Sequence, residues 1–293
     1  MLLESIIHKT PIEKGWSGDQ KYCAVTADGA KYLLRVSSAD RLERKKREFG
    51  HMQAVARLGI PMCLPLEFGL CSEGVYSIQS WIDGKDAEPI IMALDEGEQY
   101  RYGMDAGRIL ARIHTLPASE NVPDWETRFN AKLDRKMALY NACPLKYERG
   151  GEEMLRYIEQ NRRLLRGRPQ CYQHGDYHIG NMMINQKGTL TIIDFDRDDD
   201  GDPWEEFNRI VWCAQAAPAF ATGMVDGYFD GSPPMLFWRL LALYICSNTL
   251  SSLPWAVTFG ETEIQVMRKQ QQEILDWYNG MNRVVPSWYQ PKP

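Results

Sequence analysis

From the N-terminus to about residue 80 the pattern of hydrophobic and polar positions reads as strands with one helix inserted. Gln20 to Ala27 alternates and then meets Asp28-Gly29, a strong hairpin signal, before a second strand from Ala30 to Val36. From Ser38 to Leu58 the period changes to helical. Leu42, Phe49, Met52, Val55 and Ala56 line one face of a highly charged segment, and Gly59-Ile60-Pro61 ends it. Two further strands, Leu64 to Cys71 and Val75 to Trp81, are joined by Ser72-Glu73-Gly74. With a strand before Gly15, the order is three strands, one helix and two strands. Asp83-Gly84 reads as a hinge.

Beyond the hinge the pattern is helical. Tyr100, Met104, Gly107, Ile109, Leu110 and Ile113 recur at helical spacing within Glu96 to His114, and Arg128 to Tyr140 and Glu152 to Leu165 behave alike. A short β-like stretch interrupts them: Asn181 to Asn185, a turn at Lys187-Gly188, then Leu190 to Phe195. From Trp204 onward the chain is helical and rich in Trp and Tyr. Most of these rings belong in a core, with Trp204, Trp212 and Tyr244 as candidates to line an apolar pocket. The run Phe237 to Val257 is apolar, yet it carries Arg239, Ser247, Asn248 and Ser251-Ser252 and breaks at Pro254. A buried helix fits it better than a membrane span. The fold class is α+β, with a small N-terminal antiparallel β lobe (residues 1–82) holding one helix and a larger, mainly helical C-terminal lobe (residues 83–293).

Composition narrows the function classes. The 293 residues carry a net charge of -5, which argues against general nucleic-acid binding and is compatible with a small cationic substrate. The seven cysteines form no C-x-x-C pair and are odd in number, so neither a zinc site nor a disulfide framework is expected. The N-terminus lacks a basic start followed by a long apolar core, so a cytoplasmic protein is expected.

The informative stretch is Gln173 to Asp196, QHGDYHIGNMMINQKGTLTIIDFD. It places His174, Asp176 and Asn181 as H-x-D-x-x-x-x-N in a loop, and Asp194 closes the apolar run Thr191-Ile192-Ile193. Phosphoryl transfer needs an attacking hydroxyl to be oriented and a divalent metal to be held against nucleotide phosphates. A loop carboxylate serves the first need. An amide oxygen and a second carboxylate, joined by a hairpin, serve the second, because magnesium prefers hard oxygen ligands and retains waters. Gly15-Trp16-Ser17-Gly18 lies between two predicted strands and is either a phosphate cradle or an ordinary hairpin turn. Asp196, Asp198, Asp199, Asp200 and Asp202 form an acidic run that is either a solvated loop or a site for a cationic substrate or metal.

His174-Gly175-Asp176, Asn181 and Asp194-Phe195-Asp196 resemble the motifs of the aminoglycoside phosphotransferase and choline kinase group. The helix Ala106 to His114 and Gly201-Asp202-Pro203-Trp204 are also similar to segments of that group. The resemblance implies a bilobal protein-kinase-like fold and a kinase that uses ATP, or GTP, with Mg2+ to phosphorylate a small hydroxyl compound. By the same resemblance Asp176 is the catalytic base, Asn181 and Asp194 are the metal ligands, and His174 holds the loop. Gly15, Ser17 and Gly18 approach the phosphates. Arg35, with Lys31 as the weaker candidate, takes the place of the phosphate-contacting lysine and pairs with Glu48. The nucleotide base meets the backbone of Gln79, Ser80, Trp81 and Ile82. Asp196, Asp198, Asp199 and Trp204 are the candidates for substrate binding. The acceptor is either an antibiotic-like amine or a metabolite such as choline, an amino alcohol or a sugar derivative. A protein kinase fits less well, because Gly175 replaces the arginine of that motif, Asp196 replaces the glycine after Asp194-Phe195, and no A-P-E segment occurs; a non-catalytic nucleotide-binding module fits less well because Asp176, Asn181 and Asp194 are all present.

Overall fold

The computed structural model describes residues 1–13 and 18–291. In chain order its strands and helices are β1 (Ile6–Pro11), β2 (Gln20–Thr26), β3 (Lys31–Ser37), α1 (Leu42–Ala56), β4 (Pro65–Cys71), β5 (Gly74–Ser80), β6 (Gly84–Asp86), α2 (Ala87–Met92), α3 (Glu96–Ile113), α4 (Trp125–Ala142) and α5 (Gly151–Asn161). There follow β7 (Cys171–Gln173), β8 (Met182–Asn185), β9 (Leu190–Ile192), β10 (Asp199–Gly201), α6 (Ile210–Ala216), α7 (Pro218–Phe229), α8 (Met235–Val257) and α9 (Glu261–Trp277). A 3-10 turn, Glu205–Arg209, leads into α6.

Two compact units form, and the chain crosses between them more than once. The first comprises residues 1–90 and 181–198, the second residues 91–180 and 199–293. The hairpin at 181–198, expected in the second lobe, therefore clusters with the first. Backbone bonding explains this. Gly84, the expected hinge, begins a strand that pairs with β8, placing Gly84 opposite Asn185. The amide of Cys63 also donates to Ile192 O at 3.2 Å, and that of Ile192 to Pro61 O at 3.0 Å.

In the first unit, five antiparallel strands run in the order β1-β2-β3-β5-β4. Asp28-Gly29 turns the β2–β3 hairpin, with Gly29 at φ +83°, where a Cβ would strain the backbone. Ala24, Leu34, Val36, Tyr76 and Ile78 form the buried cluster on the sheet, and Leu2, Leu3 and Ile6 pack against it. Met52 and Val55 on α1 are buried, as their helical spacing predicts, and so is the charged Glu48.

The second unit is built around helix packing. α3 carries Gly103 and Gly107, and α7 carries Gly223 and Gly227, each pair four residues apart on one helix face. A Cβ on Gly103 would lie 2.1 Å from Phe220 O, and one on Gly107 would lie 2.2 Å from Met224 O. Reciprocally, a Cβ on Gly223 would meet Tyr100 O at 2.2 Å and one on Gly227 would meet Met104 O at 2.3 Å. The two helices touch backbone to backbone along this seam. Helix α8 is apolar on all sides, and most of its residues are buried within the unit. By length and composition it is the one helix among the described residues that could cross a membrane. It also continues through Pro254 to Val257, rather than stopping there.

Gly107→Ala and Gly223→Ala should each lower stability by about 1–3 kcal/mol, because the added methyl meets backbone that cannot rotate away. Gly50→Ala, on an exposed position of α1 with open space around it, should instead raise stability by up to about 1 kcal/mol. Chemical denaturation of the three variants against the parent chain measures both signs.

Candidate functional site

In the first unit the chemistry gathers on Arg35. This β3 residue is buried, and its guanidinium fork is filled by three carboxylates. Nε and Nη2 reach Asp19 Oδ2 at 3.2 and 3.0 Å, Nη1 reaches Asp194 Oδ1 at 2.7 Å, and Nη2 reaches Asp196 Oδ2 at 2.5 Å. Burial works against its charge, but Asp196, Asp194 and Asp19 outweigh it and raise its pKa. The expected Arg35–Glu48 pair is not the arrangement found. Glu48 Oε1 accepts from Arg44 Nε at 2.6 Å and its Oε2 from Lys45 Nζ at 2.8 Å. With the fork already committed to three carboxylates, Glu48 takes its cations from its own helix, at i−4 and i−3.

Asp19, one residue past Gly18, was not predicted as part of the site. Besides Arg35, it accepts from Ser37 Oγ at 2.5 Å, Arg41 Nη1 at 3.0 Å and Lys45 Nζ at 2.8 Å. Burial would raise its carboxyl, but these hydrogen bonds and the Arg35 charge hold it down at about 2. Three cations and a hydroxyl thus surround one buried anion. Arg41 and Lys45 belong to the highly charged segment and were not singled out; their spacing of four turns both onto Asp19. The predicted Gly15 and Ser17 lie outside the described residues, and Gly18 is exposed.

A cavity of about 30 Å³ adjoins Arg35, Lys45, Glu48 and Gln79. It is the size of one or two waters and far too small for a nucleotide. Of the expected base contacts, Gln79 is buried within the sheet, opposite Leu33. Ser80 is already engaged, since its amide donates to Leu64 O at 2.8 Å and its Oγ accepts from the Leu64 amide. Trp81 and Ile82 follow β5 and are half-buried.

The hairpin β8–β9 brings the two predicted metal ligands to one end. Ile193 N donates to Asn181 O at 3.1 Å, so Asp194 follows directly from a residue bonded to Asn181. Asp194 has φ 67°, a left-handed conformation that Asp tolerates better than most residues. One amide oxygen and one carboxylate are hard donors of the kind Mg2+ takes when phosphates complete its shell. No group of three or more His, Cys, Asp or Glu among the described residues is placed to hold a metal by itself.

In the second unit the loop His174-Gly175-Asp176 is held on two sides. Before it, β7 pairs with β10, setting Gln173 opposite Asp199. Within it, Gly175 at φ +83° donates its amide to Glu206 Oε1 at 2.9 Å. His174 is fully buried, and its Nδ1 accepts from the Asp176 amide at 3.3 Å, so it shapes the loop. The Asp176 carboxylate faces Arg209 Nε at 3.2 Å and His178 Nε2 at 3.7 Å. His178 in turn lies beside the ring of Trp212, with centroids 6.5 Å apart.

The acidic run is consumed by internal partners. Asp196 serves Arg35, Asp198 contacts His51 Nδ1 at 2.5 Å, and Asp199 pairs with Arg128 at 3.3 Å. Asp202, fully buried, receives Arg168 through two nitrogens at 2.7 and 2.8 Å and the Tyr244 hydroxyl at 2.6 Å. Trp204 stacks under Arg168, 3.7 Å from ring centre to guanidinium, and packs on Phe229 and Phe237. Trp204 and Tyr244 are therefore framework, whereas Trp212 lies beside the Asp176 loop. Two further cations of this unit had no motif to announce them. Arg209 touches Asp176, and Lys136 on α4, one turn beyond Lys132, makes no hydrogen bond or ion pair with the described residues. Burial, reinforced by the charge of Lys132, brings the Lys136 ammonium down to about 7.

A family model described as the phosphotransferase enzyme family matches residues 8–238. No curated protein sequence matches the chain. Among solved structures, a thermostable mutant of the aminoglycoside phosphotransferase APH(4)-Ia in its apo form is 15% identical with a TM-score of 0.67, covering 93% of this chain and 95% of that one. A choline/ethanolamine kinase family protein from Mesorhizobium loti is 14% identical with a TM-score of 0.68, covering 97% and 93%. The amicoumacin kinase hAmiN, in complex with AMP-PNP, Ca2+ and Ami, is 13% identical with a TM-score of 0.67, covering 97% and 93%. The fold is that of these proteins.

Asp19→Asn should cost roughly 2–3 kcal/mol of stability at neutral pH. The folded carboxyl sits below its unfolded value, so its contribution is complete above about pH 4 and is lost as pH falls through about 2. Denaturation midpoints of parent and variant should converge across that window.

Proposed function

The chain belongs to the phosphotransferase enzyme family, and from that premise we propose that it transfers the γ-phosphate of ATP, or of GTP, to a hydroxyl of a small molecule with the aid of Mg2+. The observation that carries this reading is the fixed loop around Asp176, whose carboxylate is set by the Glu206–Gly175 bond, the β7–β10 pairing and the Arg209 contact. A carboxylate so held orients the attacking hydroxyl and receives its proton as the oxygen bonds to phosphorus. The bond from the γ-phosphorus to the bridging oxygen breaks, and the nucleoside diphosphate leaves. The proton passes from Asp176 to solvent.

Asn181 and Asp194 would hold Mg2+, which supplies positive charge to the phosphate oxygens when bound. Arg35 is the phosphate-contacting cation of the first unit, and a fork of five donors suits phosphate as it suits the carboxylates that now occupy it. The donor's base meets the backbone of Trp81 and Ile82, because the amide of Ser80 is spent on Leu64. A cationic acceptor bound by Asp196, Asp198 or Asp199 has little support, since all three already face internal cations. The acceptor is a small molecule, as it is for the amicoumacin kinase with the same fold. Seven free thiols suit a reducing cytoplasm.

Asp176→Asn should reduce transfer at least 1,000-fold, on the order of the loss seen when a positioned general base is removed. Stabilisation by Mg-ATP in thermal shift should be retained in that variant. Turnover surviving in Asp176→Asn would refute the assigned role, and failure of the parent chain to be stabilised by either Mg-ATP or Mg-GTP would refute the nucleotide-dependent reading.

A further inference from the structure

Glu206 anchors the loop that carries Asp176, yet only half of its carboxylate is satisfied. The side chain is 1% exposed, and its Oε1 accepts from the Gly175 amide at 2.9 Å. Its Oε2 makes no hydrogen bond among the described residues. A buried carboxylate oxygen in that state is costly, so the group that faces it bears on how firmly the loop is held. That group is His114, the residue that caps α3. Its Nε2 lies 3.6 Å from Glu206 Oε2 and is likewise without a hydrogen bond, in a side chain only 3% exposed.

The other ring nitrogen tells where the imidazole hydrogen sits. Tyr228 Oη lies 3.0 Å from His114 Nδ1. Burial pushes the pKa of the Tyr228 hydroxyl up, so it keeps its proton and has Nδ1 within reach to accept it. With Nδ1 accepting, the ring's own hydrogen is on Nε2, the nitrogen turned toward Glu206. The glycine seam makes this meeting possible. His114 follows Gly107 by seven residues, on the same face of α3, and a Cβ on Gly107 would lie 2.6 Å from Tyr228 N. Phe207, next to Glu206, packs edge-on against the Tyr228 ring with centroids 5.0 Å apart.

We infer that Tyr228 and His114 are positioning residues for phosphoryl transfer: the hydroxyl fixes the imidazole, the imidazole donates to Glu206 Oε2, and Glu206 holds the Gly175 amide so that Asp176 stays aimed at the acceptor. This rests on the phosphotransferase reading and adds to it a relay that starts outside the His174-Gly175-Asp176 loop. A closure of about 0.6 Å brings His114 Nε2 and Glu206 Oε2 to hydrogen-bond length.

The test follows two quantities in the full chain: hydrolysis of Mg-ATP, with water as the acceptor, and amide hydrogen exchange at Gly175 without nucleotide. If the parent hydrolyses Mg-ATP no faster than Asp176→Asn, the kinase reading fails, and exchange at Gly175 still decides whether the relay holds the loop. His114→Phe should lower kcat about tenfold or more with KM for Mg-ATP within about twofold, because the nucleotide contacts assigned above lie in the first unit. Exchange at Gly175 should be at least about tenfold faster in that variant. His114→Gln, whose amide offers an N–H at similar reach, should bring both quantities back to within about threefold of the parent. Tyr228→Phe removes one oxygen from a packed ring and should lower kcat about threefold or more while speeding exchange. His114→Gln as impaired as His114→Phe, a raised KM with kcat unchanged, or exchange at Gly175 unchanged in both Phe variants each overturns the inference. If His114→Phe does not fold, Tyr228→Phe decides alone, and parent-like kcat and exchange in it overturn the inference.

Discussion

The buried carboxylate of Asp202 is the contact on which the second unit depends. A charge removed from water must be compensated in place, and here Arg168 does so through two parallel hydrogen bonds, with the Tyr244 hydroxyl and the Trp204 amide completing the shell. Each partner ties down another element. Tyr244 brings in α8 and accepts from the Trp125 indole of α4. Arg168 covers the face of Trp204, and Gln173 donates to the Asp202 carbonyl, fixing the strand that enters the His174-Gly175-Asp176 loop. Four residues later Glu206 reaches the Gly175 amide. The position of Asp176 is thus the end of a chain of hydrogen bonds that starts at one desolvated charge.

The first unit solves the same problem with the opposite sign. Arg35 is the buried cation, and Asp19, Asp194 and Asp196 converge on it from three places in the sequence. Two of the three come from the segment 181–198, so this ion cluster is also what joins that hairpin to the strands. Lys45 links Asp19 to Glu48, which places α1 in the same network. Removing any one member would leave an unmatched buried charge, which is the costly event in such networks.

What could be read in advance follows from the range of the interactions involved. The β2–β3 hairpin at Asp28-Gly29, the face of α1 and the loop-and-hairpin order around Asp176 depend on neighbours within a few residues, and patterns record these. The short strands β7 and β10 were missed because three residues carry no period, and their pairing is made across the intervening hairpin. The partners of Arg35 were missed for a related reason. A helix glutamate was the expected match, but which carboxylate reaches a guanidinium is decided by folding, not by spacing. Asp196, Asp198 and Asp199 looked available in the sequence because their cations lie far away in it.

The glycine seam between α3 and α7 has a consequence for how the chain reaches this structure. Glycine inside a helix costs about 1 kcal/mol relative to alanine, so each of these helices carries a handicap near 2 kcal/mol as an isolated segment. Neither is expected to persist until the other arrives, and the second is encoded late in the chain. A ribosome must therefore release α7 before α3 acquires its permanent partner. Formation of the second unit is a non-local closure event, slower than its helical content alone would suggest.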